Sequence, residues 1–136
     1  MTHKNIAVAL IAHDGKKPEM VSFILQNRRF FTGLTLYATG TTGKHIEDAG
    51  IDVHRVLSGP LGGDAQIASM AATKQLHAVI FFRDPLDKHP HEPDVQMLMR
   101  ICDVHNVPLA TNPAAARYIM LGLQRELEEA DKIAKT

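Results

Sequence analysis

Asn5-Ile6-Ala7-Val8-Ala9-Leu10-Ile11-Ala12 is apolar at every position after the first. A run of this length with no polar alternation, bounded by charged and turn residues, reads as a strand buried on both faces. Strands of that kind belong to parallel sheets covered above and below by helices. Working outward, Leu34–Ala38, Val53–Leu57, Ala78–Phe82 and Val107–Ala110 read as four further short strands. Helical patterns fill the gaps. Pro18 opens one that carries Met20, Val21, Ile24 and Leu25, and another begins near Lys44. A third follows Asp64 through Ala65–Ala72, and a fourth covers Val95–His105. From Ala114 the chain reads as helix to its end. Ile119, Leu123, Leu127, Ala130 and Ala134 form one stripe there, and Glu128–Lys132 and Asp131–Lys135 are spaced to pair. Strands alternating with helices imply right-handed βαβ units. The expected fold is therefore α/β: one domain over residues 1–136, a doubly wound five-stranded parallel sheet with helices on both faces. Residues 120–136 form its C-terminal amphipathic helix.

Composition narrows the function classes. With 136 residues and 45% of them hydrophobic, the chain has material for a proper core. Fifteen basic and fifteen acidic residues cancel. Neither a polybasic face nor an acidic tail is visible, which speaks against nucleic acid and anionic membrane as partners. An anionic ligand would have to be held by local groups. A single cysteine, Cys102, allows no internal disulfide, and the start Met-Thr-His-Lys-Asn lacks the apolar stretch of a signal peptide. With no run of membrane-spanning length, the expectation is a soluble, cytoplasmic protein.

In open α/β sheets ligands bind outside the carboxyl ends of the strands. Every polar, glycine-rich or histidine-rich stretch of this sequence falls at such an end. His13-Asp14-Gly15-Lys16-Lys17 follows the first strand, and Thr39-Gly40-Thr41-Thr42-Gly43 follows the second. The threonine stretch supplies hydroxyls and backbone amides at a helix N-terminus, which suit a phosphate, with Lys17 near enough to add charge. The bland alternative is a turn with a threonine cap. Ser58-Gly59-Pro60-Leu61-Gly62-Gly63-Asp64 follows the third strand, with little side-chain cover and free to approach a ligand closely. It places a carboxylate, Asp64, at a helix N-terminus, either as a cap or as a chemical group. Neither a Walker lysine motif nor G-x-G-x-x-G is present, so ordinary nucleotide fingerprints fail.

The segment after the fourth strand holds Asp84, Asp87, His89, His91, Glu92 and Asp94, stiffened by Pro85, Pro90 and Pro93. A stiff loop of titratable groups fits proton transfer. Two other readings stand beside it: a solvated loop with Asp94 as a cap, and a zinc or manganese site on His89, His91 and Asp94. His45, His54, His77 and His105 read as surface or helix-flank residues, and Cys102 as a core thiol rather than a nucleophile.

These motifs resemble methylglyoxal synthase: A-H-D near the first strand, Tyr37–Gly43 (Y-A-T-G-T-T-G), Ser58–Asp64, Phe81–Asp94 and Thr111-Asn112. The resemblance runs from about Ile6 to Ile119. It implies an enzyme that converts dihydroxyacetone phosphate to methylglyoxal and inorganic phosphate without metal or organic cofactor, usually as a homohexamer, with phosphate also an inhibitor. It makes Asp64 the base that removes a proton from the hydroxyl-bearing carbon and His91 a donor to the substrate's oxygens. Asp94, Asp84 and Asp14 become supporting acids. His13, Lys17, Thr39, Gly40, Thr41, Thr42, Ser58 and Gly59 become the groups that hold substrate and phosphate. Past Ile119 the charged helix departs from the strand-containing tails of some members, which leaves the assembly contacts open.

Two other classes of function compete. Folds like this one also serve as regulatory small-molecule domains in carbamoyl phosphate synthetase, keeping a phosphate pocket without catalysis. Retention of Asp64 together with His91 and Asp94 argues for the enzyme, since a sensor has no use for them. A metal-dependent hydrolase built on the histidine-rich loop is the third reading, and survival of activity under chelation separates it from the lyase.

Overall fold

The computed structural model describes residues 5–87 and 92–134. The strands are β1 (Ala7–Ala12), β2 (Thr35–Ala38), β3 (His54–Arg55), β4 (Ala78–Phe82) and β5 (Leu109–Ala110). They form one all-parallel sheet in the order β3-β2-β1-β4-β5, with β1 in the middle. The helices are α1 (Lys17–Gln26), α2 (Arg28–Phe31), α3 (Gly40–Asp48), α4 (Gly63–Ala72), α5 (Glu92–Val104) and α6 (Pro113–Ala134).

Because successive strand residues face opposite ways, β1 feeds two cores at once. Val8, Leu10 and Ala12 pack with Leu36, Ile80 and Phe82 beneath α1, α2, α3 and α6. Ala7, Ala9 and Ile11 pack with Val79 and Phe81 beneath α4 and α5. This double burial is what the unbroken apolar run of β1 requires.

Several boundaries differ from expectation, some for local and some for tertiary reasons. The helix expected near Lys44 begins at Gly40, with Thr39 in an extended cap conformation and the Gly43 amide on the Thr39 carbonyl at 2.7 Å. Strand β3 stops at Arg55, two residues before the expected Leu57. There the Leu57 amide is taken by Gln66 Oε1 at 2.8 Å and its carbonyl by the Gly40 amide at 3.2 Å, so the chain leaves the sheet. Strand β5 starts at Leu109 because Val107 still bonds the helix end at Cys102 and Pro108 has no amide hydrogen. Helix α5 begins at Glu92, which is held by an ion pair to Arg83 at 2.9 Å. Short α2 carries no signal in the sequence beyond its fully buried Phe31.

In α6, Ile119, Leu123 and Leu127 pack on the core, whereas Ala130 and Ala134 are exposed. The apolar stripe is used only as far as the sheet extends. Arg125 and Glu129 form an ion pair on its outer face, while Lys135, the expected partner of Asp131, lies outside the described residues. Among the described residues no helix is long and apolar enough to cross a membrane.

Two glycine substitutions should act in opposite directions. A Cβ on Gly63 would lie 1.9 Å from the Leu57 carbonyl oxygen, whereas one on Gly122 meets nothing within 4 Å. Gly63→Ala should cost on the order of 3 kcal/mol by overpacking. Gly122→Ala, at an exposed position in the middle of α6, should gain ~0.5–1 kcal/mol. Urea midpoints of the two variants check both signs.

Candidate active site

Polar groups converge at the carboxyl ends of β1, β2 and β3. A 3-10 turn over Asp14–Lys16 leaves β1 and leads into α1, whose first residue is Lys17. That turn points Lys17 back along the strand. The lysine is buried, and its Nζ donates to the Ala12 carbonyl at 3.0 Å and to Asp14 Oδ1 at 2.6 Å. An ammonium has three donors, so one N–H is left for a ligand. The carboxylate of Asp14 is itself exposed; its part is to fix and balance Lys17.

His13 is buried beside Lys17, with its ring edge-on to Phe81 at 5.0 Å. Its Nδ1 accepts the Asp84 backbone amide at 2.9 Å. In the neutral ring the proton therefore sits on Nε2, which makes this face of His13 a hydrogen-bond donor. Asp84 does not line the cleft; it meets His13 through that amide, while its own Oδ1 accepts the Leu86 amide in a local turn.

Helix α3 opens beside this group. Of the N–H groups at its start, Thr39's is used by the Leu10 carbonyl and Gly40's by the Leu57 carbonyl. Those of Thr41 and Thr42 remain at the positive end of the helix, where an anion binds best. Thr41 is exposed and Thr39 buried, and both line the cleft. Gly40 and Ser58 approach through their backbones: a Cβ on Gly40 would lie 3.1 Å from the Ser58 amide nitrogen.

The stretch after β3 makes a 3-10 turn over Gly59–Leu61 and then enters α4. The N-cap of α4 is Gly62, in the left-handed region at φ 107°, with no side-chain cap. Asp64 sits two residues further on and is fully buried. The capping reading of Asp64 therefore falls, because that position is already occupied by glycine.

Together these elements enclose a cleft of about 80 Å³ lined by Ile11 to Asp14, Lys17, Thr39, Thr41, Gly59, Pro60 and Asp64. Its size suits a group of a few atoms rather than a nucleotide. Thr42 is buried behind Ala12, and Asp94 lies half-buried in the first turn of α5. His91, like His89, lies outside the described residues. Ile11, Ala12 and Pro60 line the cleft without having been picked out in the sequence, and Gln66 supports it from outside. Gln66 anchors the Leu57 amide, and nothing in its local sequence distinguishes it from an ordinary surface glutamine. His45, His54 and His77 are exposed and His105 half-buried, clear of the cleft as expected.

Fold and cleft define a class: a doubly wound parallel α/β protein with a small polar cleft that places a buried carboxylate beside a lysine and a helix N-terminus. A family described as MGS-like domain matches residues 19–111. The methylglyoxal synthase of Carboxydothermus hydrogenoformans is 56% identical over 117 residues, covering 85% of this chain and 97% of its own. That of Thermus thermophilus is 54% identical over 120 residues, covering 88% and 95%. The crystal structure of methylglyoxal synthase from Elizabethkingia anophelis NUHP1 superposes with a TM-score of 0.81 at 46% identity, covering 88% of this chain and 79% of that one. The chain belongs to the methylglyoxal synthase family of lyases.

Cys102 takes no part in the cleft. It is fully buried against the α4–α5 side of the sheet, and burial, reinforced by Asp103, raises its thiol from 9.0 to about 11. A raised folded-state value stabilises the protonated thiol. That contribution is complete below about pH 9 and is lost as pH climbs through about 11. Iodoacetamide at about pH 8, below that range, should therefore leave the native chain unmodified and label it only once it is unfolded. The urea midpoint should fall as pH rises from 9.0 to about 11, and Cys102→Ala should make that fall shallower.

Proposed function

We propose that this chain converts dihydroxyacetone phosphate to methylglyoxal and inorganic phosphate. The observation that carries this reading is the placing of buried Asp64 in the same small cleft as Lys17 and the open end of α3. The phosphate group binds at Lys17 and the Thr41 and Thr42 amides, with Ser58–Gly59 closing the other side. Asp64 takes a proton from the hydroxyl-bearing carbon, and the electron pair moves to the carbonyl oxygen to give an enediolate. The hydroxyl on the deprotonated carbon then passes its proton, by way of His91, to the enediolate oxygen and becomes the aldehyde carbonyl. Its electrons shift the double bond one carbon along, which expels phosphate. The resulting enol tautomerises to methylglyoxal.

Elimination is easy when the C–O bond to phosphate stands perpendicular to the enediolate plane, so the anion site also fixes a torsion. His13, donating through Nε2, and His91 stabilise the oxygen on which charge develops. Asp14 and Asp84 act through Lys17 and His13, and Asp94 supports the His91 segment. The working form is a cytoplasmic homo-oligomer, a hexamer on the resemblance, that needs neither metal nor organic cofactor. Inorganic phosphate competes as product.

An assay with dihydroxyacetone phosphate should release methylglyoxal and phosphate in equal amounts. Release of phosphate without methylglyoxal would replace the lyase with a phosphatase. Asp64→Asn keeps the shape but removes the base, and should lower kcat by ~10²–10⁴-fold. Its circular dichroism spectrum should match that of the wild type. An Asn variant that retained most of its activity would take the base away from Asp64.

For the loop, His91→Ala should lower kcat by about 10²–10³-fold. His91→Gln should keep more activity and flatten one limb of the pH–rate profile, because it donates but cannot titrate. His89→Ala should be nearly silent. A His89 loss as large as that of His91 would point instead to a paired-histidine metal site.

A further inference from the structure

Strand β1 outruns its neighbour. The β1–β2 pairing ends at Leu10↔Ala38, because the chain turns into α3 after Ala38, while the β1–β4 pairing continues to Ala12↔Phe82. The last peptide of β1 is therefore buried in the centre of the sheet with no strand on its β2 side. A backbone amide and carbonyl stranded there would each cost a full desolvation penalty.

The hydroxyl of Thr42 fills the vacant side. Its Oγ1 accepts the Ala12 amide at 3.1 Å, donates to the Ala12 carbonyl at 3.3 Å and accepts the Thr39 hydroxyl at 3.3 Å. A hydroxyl has one proton and two lone pairs, so its capacity is used up. Thr42 is 1% exposed, and it cannot give its proton to a ligand without releasing Ala12. The carbonyl it holds is also the one that accepts Lys17 Nζ at 3.0 Å.

We infer that the Thr42 side chain is a positioning group rather than a phosphate ligand. It substitutes for the missing strand partner of Ala12, and the Ala12 carbonyl, so fixed, aims the Lys17 ammonium at the anion. Thr42 contributes to the anion itself only through its backbone amide. This deepens the proposed function, since it rests on phosphate binding at Lys17 and α3. It divides the three threonines of one motif into a cleft wall (Thr39 and Thr41) and a strut behind it (Thr42).

The test uses the full chain, inorganic phosphate as probe, and two readouts: calorimetric affinity and hydrogen exchange at the Ala12 amide. Thr42→Val preserves shape and deletes the hydroxyl. It should weaken phosphate binding by roughly tenfold and, in the same variant, deprotect the Ala12 amide. Thr42→Ser should restore both. Thr42→Cys, a weaker donor and acceptor, should fall between them and carries the comparison if the valine variant does not fold.

Weaker phosphate binding with Ala12 still protected would make the hydroxyl a direct ligand and overturn the inference. A deprotected Ala12 with unchanged affinity would make Thr42 purely structural and overturn it as well, as would no change in either readout. Failure of the wild-type chain to bind phosphate at all would remove the proposed anion site, and this inference with it. An affinity that depends on Lys17 but not on Thr42 would remove only the inference.

Discussion

The peptide of Ala12 is where the sheet ends and the cleft begins, and both depend on how it is satisfied. On one side its neighbour β4 continues, with the His13 amide on the Phe82 carbonyl at 3.1 Å. On the other side no strand exists, and side chains from α1 and α3 meet the carbonyl instead. A buried peptide left without partners is costly, so the chain must bring α3 and the start of α1 against this point in order to fold. The same requirement places Lys17 and the first turn of α3 within reach of one ligand. The contacts that complete the fold here are the same ones that assemble this side of the cleft.

A second peptide, that of Leu57, joins the remaining side of the cleft to this centre. Its carbonyl receives the Gly40 amide from α3, and its amide is held by Gln66 from α4. Its side chain is 51% exposed, so it is the Leu57 backbone and not its side chain that makes these ties. The two helix N-termini are therefore tied together through a residue that does not line the cleft. A change at Gln66 would be felt in the cleft even though its side chain lies outside it.

Much of this was legible in the sequence, and the limits have physical causes. Strands buried on both faces announce themselves through unbroken apolar runs, so Ala78–Phe82 could be placed to the residue and the run Asn5–Ala12 contains β1 with two residues to spare. Edge strands could not, because Leu57 leaves the ladder for a side chain of α4 and Pro108 cannot donate, and neither event is encoded locally. The glycine- and threonine-rich start of α3 reads as loop by propensity; a tertiary bond from Gly40 to Leu57 and the first helical bond from Gly43 to Thr39 override it. The cleft was legible as a set of loops at one rim, since the α/β rule puts them there. Which threonine faces the ligand was not, because Thr39, Thr41 and Thr42 differ only by the turn of a helix whose start the sequence does not mark.

The glycines of the two loops make the same point from the other direction. Ser58–Asp64 looks like a backbone laid bare for a ligand, yet what approaches Gly63 most closely is the protein's own Leu57 carbonyl. Gly40 gives way to the Ser58 backbone, and a Cβ on Gly43 would strike Arg55 at 2.5 Å. Of these loop glycines, Gly62 at φ 107° is the one required by conformation alone. The missing side chains let two loops and a strand end close on one another until helix N-termini that would otherwise sit a side chain apart share a cleft. The two helix starts come together because small residues allow close packing between loops. A sequence can display the glycines without revealing that their neighbour is another part of the chain.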